Sequence, residues 1–201
     1  VTSDNIIVDL NDNIINKTSG DRGNKGIYVE YSDNVTIRNG EIYGFGNAIE
    51  LHDSHHGHIE DLVLEYDARG IFFENCDNNK VENITAKNNS ANGIKIYGHN
   101  NSISNSLLWN NLIGVEINGG NNEVFSSEMT KNDQRDVRVS GMNNSFYDNV
   151  IEANVTIEAH HSTDWSGNHW LAYDSEVEGC YDSDSEGHCD SSYQLKNNSD
   201  D

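Results

Sequence analysis

A repeat of about 22 residues runs through most of the chain and limits the folds that it can adopt. Repeats of this length are typical of solenoids, in which each unit packs only on its neighbours. The segments that superpose at this period begin at Asn34, Gly57, Asn79, Asn101, Asn122 and Asn144. The period therefore favours one elongated stack of similar units over a globular core.

Three apolar columns emerge when the segments are superposed. The first is Ile37, Ile59, Val81, Ile103, Val124 and Phe146; the second is Ile42, Leu64, Ala86, Leu108, Met129 and Ile151; the third is Ile27, Ile49, Ile71, Ile94, Val115, Val137 and Val155. Each column lies where apolar and polar residues alternate, as in "GIKIY" and "GVEIN". This alternation is the pattern of a strand with one buried face. Three short strands in each repeat predict an all-β parallel β-helix, a solenoid of about seven coils over residues 1–159.

Asparagine recurs where the coils are expected to turn. The predicted corner columns are Asn39, Asp61, Asn83, Asn105, Ser127 and Asn149, and then Asn88, Asn110, Asn132 and Asn154. Asparagine tolerates the left-handed backbone of sharp corners, and amides stacked at the strand spacing can bond along the axis. The chain contains no proline, as expected where nearly every strand has two neighbours.

The charge of the chain excludes one class of partner. Its net charge is -22 and its pI is about 4.5, whereas nucleic-acid binding needs a basic surface. No apolar run is long enough to cross a bilayer. The acidic composition instead fits an extracellular or high-salt setting, or an acidic surface that holds divalent cations.

The cysteines and glycosylation triplets also favour export. Cys180 and Cys189 are predicted to form a disulfide, since a thiolate metal site would normally bring more Cys or His residues. Cys76 is then a packed thiol or an intermolecular bridge. Asn-x-Ser/Thr triplets, which suit a secreted glycoprotein, begin at Asn16, Asn34, Asn83, Asn88, Asn100, Asn143, Asn154 and Asn197.

Residues 160–201 are predicted to form a C-terminal cap with a calcium loop. The segment "GCYDSDSEGHCDSSY" resembles the loops of dockerin-like and thrombospondin-type calcium repeats. Its predicted Ca²⁺ ligands are Asp182, Asp184, Glu186, Asp190 and the carbonyl of His188, because hard cations take several oxygen ligands. Trp165, Trp170 and Tyr173 are expected to cover the core of the last coil.

Taken together, the repeats and the closing segment resemble those of the right-handed parallel β-helix repeat family. That family includes the pectin-lyase-like and carbohydrate-binding/sugar-hydrolase domains and, among them, archaeal surface and NosD-like proteins. The repeats carry the resemblance over residues 5–159, and "GNHWLAY" followed by the acidic loop carries it over 165–193. The closing motif implies a cell-surface protein.

The outward side of the third strand is the candidate glycan site. It carries aromatic, acidic and basic residues of the kinds that bind sugars: His52, Phe72, Glu74, Lys95 and Tyr97, with Glu50 beside them. The alternative is a structural ladder in which Lys95, Glu116 and Arg138 pair as opposite charges. At one corner, His55, Asp77 and His99 form a column that could hold a transition metal, although histidine is also a common corner residue.

These observations leave three functions open. The first is a structural or adhesive protein that associates with itself or with other surface proteins and is stabilised by Ca²⁺; its open N-terminal strand edge would let subunits join into filaments. The second is a carbohydrate-binding module that uses Phe72 and Tyr97. The third is a polysaccharide lyase or hydrolase, with Glu74 and His52, or Lys95 and Glu116, as acid and base.

Overall fold

The computed structural model describes residues 1–17, 23–152, 155–157 and 163–171. Within these residues the chain forms strands and no helix. The strands, in chain order, are β1 Ile7–Asn16, β2 Lys25–Glu30, β3 Thr36–Tyr43, β4 Asn47–His52, β5 His58–Glu65, β6 Arg69–Glu74, β7 Lys80–Lys87, β8 Asn92–Tyr97, β9 Ser102–Ser104, β10 Leu107–Trp109, β11 Ile113–Asn118, β12 Glu123–Phe125, β13 Glu128–Thr130, β14 Arg135–Ser140, β15 Ser145–Tyr147, β16 Val150–Ile151, β17 Val155–Ile157 and β18 His169–Trp170.

The strands wind into a right-handed parallel β-helix of about six turns. One sheet has seven strands in the order β2, β4, β6, β8, β11, β14 and β17. The other has eleven: β1, β3, β5, β7, β10, β13, β16 and β18 follow one another, while β9, β12 and β15 continue from β7 beside them. The predicted fold is confirmed, and the expected number of about seven coils stays a prediction.

The core is built from the three predicted columns. Strand register places Ile37 beside Ile59, Ile42 beside Leu64, and Ile27 beside Ile49, and the same pairing continues along the axis. These side chains are almost completely buried. Each coil therefore stacks like residues on like residues, and its apolar surface is removed from water only because neighbouring coils cover it.

The corners differ by one residue from the predicted columns. The left-handed corner positions after Asn105 and Asn110 are Ser126 and Lys131, so Ser127 and Asn132 face the interior instead. The reason is that coils vary in length: Val81 pairs with Ile103, 22 residues later, but Ile103 pairs with Val124, only 21 residues later. A coil that lacks one corner residue shortens the repeat from 22 to 21 residues, while the apolar residues of its strands stay paired with those of the neighbouring coils.

An inward amide ladder lies next to this corner. In Asn89, Asn111 and Asn132, Oδ1 accepts a backbone N–H of the preceding coil, at 3.0 to 3.1 Å. The Nδ2 group of each donates to a main-chain carbonyl at 3.0 to 3.3 Å. Both the oxygen and the nitrogen of each buried amide thus have a hydrogen-bond partner, as is usual for buried polar groups.

Asp67 occupies the same position one coil before Asn89, towards the N-terminus. Its Oδ1 accepts the Phe45 N–H at 2.7 Å, as the asparagines do. Its Oδ2 is buried without a hydrogen-bond partner, at the place where each asparagine carries an N–H donor. Burial raises the pKa of Asp67 to about 7, so a protonated Asp67 would supply the missing donor.

The C-terminal end of the described coils is covered by aromatic rings, whereas the N-terminal end leaves strand β1 with one neighbour. At the C-terminal end, Trp165 stacks on Phe146 at 4.4 Å between ring centroids, and Trp170 extends the second column beyond Ile151. At the N-terminal end, β1 pairs with β3 on one side, and its Ile7 and Ile14 are 62% and 53% exposed. The expected aromatic cover is thus present for Trp165 and Trp170, while Tyr173 lies outside the described residues.

Two further predictions bear on the chain as a whole. The boundary between residues 159 and 160 falls outside the described residues and stays a prediction. No helix in the described ranges is long and apolar enough to cross a membrane.

Candidate functional site

The outward side of the seven-stranded sheet brings the candidate glycan residues together. We call this surface the sheet face and define it by three columns that follow strand register. They are Lys25, Asn47, Arg69, Asn92, Ile113 and Arg135; Tyr28, Glu50, Phe72, Lys95, Glu116 and Arg138; and Glu30, His52, Glu74, Tyr97, Asn118 and Ser140. All five predicted glycan residues lie in the second and third columns.

Aromatic rings and cations alternate at the centre of this face. Phe72 and Tyr97 meet edge to face, with ring centroids 6.0 Å apart. The Arg69 guanidinium lies 5.2 Å from the Phe72 centroid, and Lys95 Nζ lies 4.9 Å from the Tyr97 centroid. Each ring is within range of a cation–π interaction, and Tyr97 is 40% exposed. The group offers an apolar surface bordered by hydrogen-bond donors.

The predicted charge ladder is also present. Lys95 Nζ lies 3.0 Å and Arg138 Nη1 3.7 Å from Glu116 Oε1, and Asn92 donates to Glu116 Oε2 at 2.9 Å. Burial opposes ionisation of Glu116, but the hydrogen bonds from Lys95 and Asn92 outweigh it and lower the pKa of this carboxyl. Glu116 is thus held as an anion, a poor state for a general acid.

The remaining candidates have different surroundings. Glu50 is buried, bonded to Lys25 at 2.6 Å and to Asn47 at 2.5 Å. His52 lies against the Tyr31 ring, and its Nε2 is 3.9 Å from Glu74 Oε2. The Glu74 side chain is 52% exposed. Glu74 also lines a shallow cleft of about 540 Å³, together with Asn75, Tyr97, Gly98, His99 and Asn118.

Sequence reasoning missed the first column of the face. Arg69, Asn92 and Arg135 begin their strands, two residues before the third apolar column, and their segments resemble turns ("ARGI", "ANGI"). The buried Ala48 and Ile49 are adjacent in β4, so strict alternation fails here and hides the outward direction of Asn47. Aligning this position across coils, as was done for the apolar positions, would have found the column.

The histidine corner column serves the backbone. His55 Nδ1 accepts the N–H of Asp77, and His99 Nδ1 accepts the N–H of Gly120, both at 3.0 Å. Asp77 Oδ1 accepts the N–H of His99 at 2.6 Å. The two histidines act as corner acceptors in the same way as Asp77, so the geometry supports the structural alternative over a metal site.

Cys76 and the glycosylation triplets can be located in part. Cys76 is completely buried, its thiol donates to the Glu74 carbonyl at 3.2 Å, and burial raises its pKa to about 11; it is a packed thiol. Asn16, Asn34, Asn83, Asn100 and Asn143 are exposed and Asn88 is half-buried. Asn154 and Asn197 lie outside the described residues, and glycosylation stays a prediction.

Comparison with known proteins identifies the family. The model of the family described as periplasmic copper-binding protein (NosD) matches residues 2–175. The chain belongs to the NosD family. The family's periplasmic description supports a location outside the cytoplasm and does not extend to the cell surface. No curated protein matches this NosD-family chain significantly.

Two solved structures share the fold. One is a mutant of the periplasmic alginate epimerase AlgG, with a TM-score of 0.58, 22% identity and coverage of 67% of this chain. The chain spans 36% of the epimerase chain. The other is an alginate lyase from Paenibacillus sp. str. FPU-7, with a TM-score of 0.55, 14% identity and coverage of 78% of this chain and 76% of the lyase. Identities this low show the β-helix fold alone.

The family description overturns the calcium prediction. NosD is described as copper-binding, and no cluster of three or more His, Cys, Asp or Glu residues suited to a metal occurs in the described ranges. Assignment of Ca²⁺ as the cofactor was therefore wrong; it rested on local spacing alone. The proposed ligands Asp182, Asp184, Glu186, His188 and Asp190, and the predicted Cys180–Cys189 disulfide, lie outside the described residues.

The described residues do not fit a copper centre either. Copper prefers imidazole, thiolate and thioether ligands. His55 and His99 use Nδ1 for backbone N–H groups, Cys76 is a buried thiol with a raised pKa, and Met129 is completely buried in the core. The coils of this NosD-family chain thus carry the fold without a built metal site in the part described.

Proposed function

We propose that this chain is an extracytoplasmic carbohydrate-binding β-helix whose binding surface is the sheet face. The observation that carries the proposal is the pair of the half-buried Phe72 and the exposed Tyr97, with Arg69 and Lys95 beside its rings. Aromatic surface bordered by a few oriented polar groups is the usual composition of a small-molecule or sugar site. The two similar structures are named as enzymes of alginate, a polysaccharide, and this supports the same ligand class here.

The aromatic pair distinguishes this face from the other sheet. Phe125 and Tyr147 on the eleven-stranded sheet are parallel, at 1° and 5.1 Å between centroids, so their flat sides cover each other. Phe72 and Tyr97 meet at 81°, which leaves ring surface for a ligand. The sheet face is therefore the better platform for a sugar ring.

Removal of the aromatic rings tests this function. Phe72→Ala and Tyr97→Ala should each reduce retention in affinity electrophoresis through gels that contain a polysaccharide, by about tenfold in affinity, since a ring contact contributes roughly 1 to 2 kcal/mol. Tyr147→Ala is the matched control on the other sheet. Circular dichroism checks the fold. Equal retention of all variants and the unmodified protein would remove the sheet face from consideration.

As a second candidate, we propose a structural or adhesive role through end-to-end association. It is favoured by the exposed Ile7 and Ile14 on β1 at the edge of the eleven-stranded sheet. An edge strand with exposed apolar residues is a template for pairing with another chain. A contact of this kind between unlike ends of two copies does not close and so produces filaments.

Sedimentation at increasing protein concentration tests association. The unmodified protein should form larger species, and Ile7→Lys with Ile14→Lys should stay monomeric because the added charges blunt the edge. The double change Tyr66→Lys with Asn110→Lys, at exposed corners of inner coils, is the control. A monomer at every concentration would contradict this candidate and leave the carbohydrate proposal unaffected.

A further inference from the structure

The first column of the sheet face differs in charge from the rest of the molecule. The chain has 34 acidic and 12 basic residues, yet this column contains three cations and no carboxylate. Its members are Lys25, Asn47, Arg69, Asn92, Ile113 and Arg135. In so acidic a chain, carboxylates would be expected in every exposed column, and the other two columns of the sheet face do contain them.

The carboxylates nearest to this column already have partners. Glu50 is held by Lys25 and Asn47, and Glu116 is held by Lys95 and Arg138. These pairs form within and between the first two columns. The remaining arginines of the first column are consequently left with neutral partners.

Arg69 and Arg135 have unused donor capacity. Arg69 Nη1 donates to Asn47 Oδ1 at 3.3 Å, and its Nε is buried without a hydrogen-bond partner. Arg135 Nε donates to Thr156 Oγ1 at 2.7 Å. In the described part of the chain, neither guanidinium lies within 4.0 Å of a carboxylate. A guanidinium with several free N–H groups is suited to bidentate binding of a carboxylate.

The two arginines lie on one line parallel to the helix axis. Arg69 begins β6 and Arg135 begins β14, three strands away in the same sheet. At the usual strand spacing this separates them by about 14 Å. Phe72, Lys95 and Tyr97 lie alongside that line. An extended chain that bears regularly spaced carboxylates could therefore contact both guanidinium groups and the aromatic rings at once.

We infer that the sheet face selects a carboxylated polysaccharide, with Arg69 and Arg135 as the residues that bind its carboxylates. This inference rests on the proposed carbohydrate function and names its ligand class. The chain lies along the axis, sugar rings cover Phe72 and Tyr97, and carboxylates face the first column. The remaining negative charge of the protein repels such a ligand at long range, but moderate salt screens distances beyond about 10 Å and leaves direct contacts in place.

Affinity electrophoresis with matched gels tests the inference. The probes are polygalacturonate, the same polymer with methyl-esterified carboxyls, and dextran sulfate. The unmodified protein should be retarded more by polygalacturonate than by either other polymer. Arg69→Gln and Arg135→Gln should each lower the affinity for polygalacturonate about tenfold, as expected for loss of a charge-assisted contact.

Two further variants separate specific binding from general charge. Lys131→Gln removes one positive charge outside the sheet face and should leave retention unchanged. Arg69→Lys keeps the charge but loses the planar fork, so its affinity should fall between those of the unmodified protein and Arg69→Gln. Thermal unfolding of each variant confirms that the coils remain folded, and Arg135 provides an independent test if Arg69 is needed for folding.

The outcomes distinguish the inference from the function on which it rests. Equal retention by free and esterified polymer, stronger retention by dextran sulfate, or an equal loss in Lys131→Gln would overturn carboxylate selection while carbohydrate binding stands. No retention of the unmodified protein by these polymers or by a neutral polysaccharide would overturn the proposed function itself.

Discussion

At the residue scale, the molecule depends on short polar side chains that replace one another along a corner. Asparagine, aspartate, serine and histidine all supply an acceptor for a backbone N–H of a neighbouring coil. Among them only an ionised aspartate has no donor to offer, since serine hydroxyls at these corners donate as well as accept. Where aspartate takes the place of asparagine, the missing donor makes the stability of the site sensitive to pH.

Asp67 is the clearest case, and it predicts a pH-dependent stability. Its folded pKa is raised to about 7 from an ordinary value of 3.8. The protonated form is therefore favoured by folding, so its contribution is complete below pH 3.8 and is lost as pH rises towards 7. By linkage the loss is roughly 4 kcal/mol. Asp67→Asn carries the donor at every pH and should be the more stable protein at pH 8.

Thermal unfolding from pH 4 to pH 8 measures this effect. The melting temperature of Asp67→Asn minus that of the unmodified protein should increase across the range, whatever other carboxyls titrate in both proteins. Asp61→Asn makes the same change of charge at an exposed corner and should show a small, nearly constant difference. A constant difference for Asp67→Asn as well would mean that Asp67 is ionised in the fold.

At the element scale, neighbouring coils are joined by main-chain hydrogen bonds between parallel strands and by hydrogen bonds of buried asparagine side chains. Asn111 participates in four bonds: Oδ1 accepts from Asn89 N at 3.1 Å, and Nδ2 donates to Ala86 O at 3.0 Å and to Asn132 Oδ1 at 3.1 Å. Its own N–H donates to Asn132 Oδ1 at 3.0 Å. One buried side chain therefore holds two adjacent corners together.

Asn111→Ala should accordingly lower the free energy of unfolding by roughly 2 to 4 kcal/mol, because buried N–H and C=O groups lose their partners. Asn110→Gly is the matched control: Asn110 has a φ of 54° and its side chain is exposed, and glycine adopts that conformation freely. Urea unfolding measures both. An effect of Asn110→Gly as large as that of Asn111→Ala would show that backbone conformation outweighs the amide bonds.

The sequence predicted the strands well and the corners less well, for a physical reason. Each buried column needs an apolar residue in every coil, so Ile94 and Val115 are recognisable from the repeat and from the alternation of apolar and polar residues. Corner residues need only a short polar side chain or a left-handed backbone, and a coil can lose one residue there. Counting by 22 then assigns Ser127 and Asn132 to the exterior, whereas their hydrogen bonds place them inside.

At the scale of the whole molecule, the candidate site could be predicted only where it follows the core. Phe72, Lys95 and Tyr97 were found because they alternate with buried residues of the same strand. Arg69 and Arg135 were missed because the backbone breaks alternation at the strand start. The calcium assignment was wrong because it relied on the local spacing of acids, which is independent of the core and carries no information about the family to which the coils belong.

The constant register of the coils has a consequence for how proteins of this kind can change over generations. Since coil length varies only at corners while Ile71, Ile94 and Val115 remain aligned, duplication of one repeat would add a rung without misaligning its neighbours. Each added rung would lengthen the sheet face by about 4.8 Å. Duplication of repeats within the gene can thus lengthen the sheet face in discrete steps, without any change in the residues that contact a ligand.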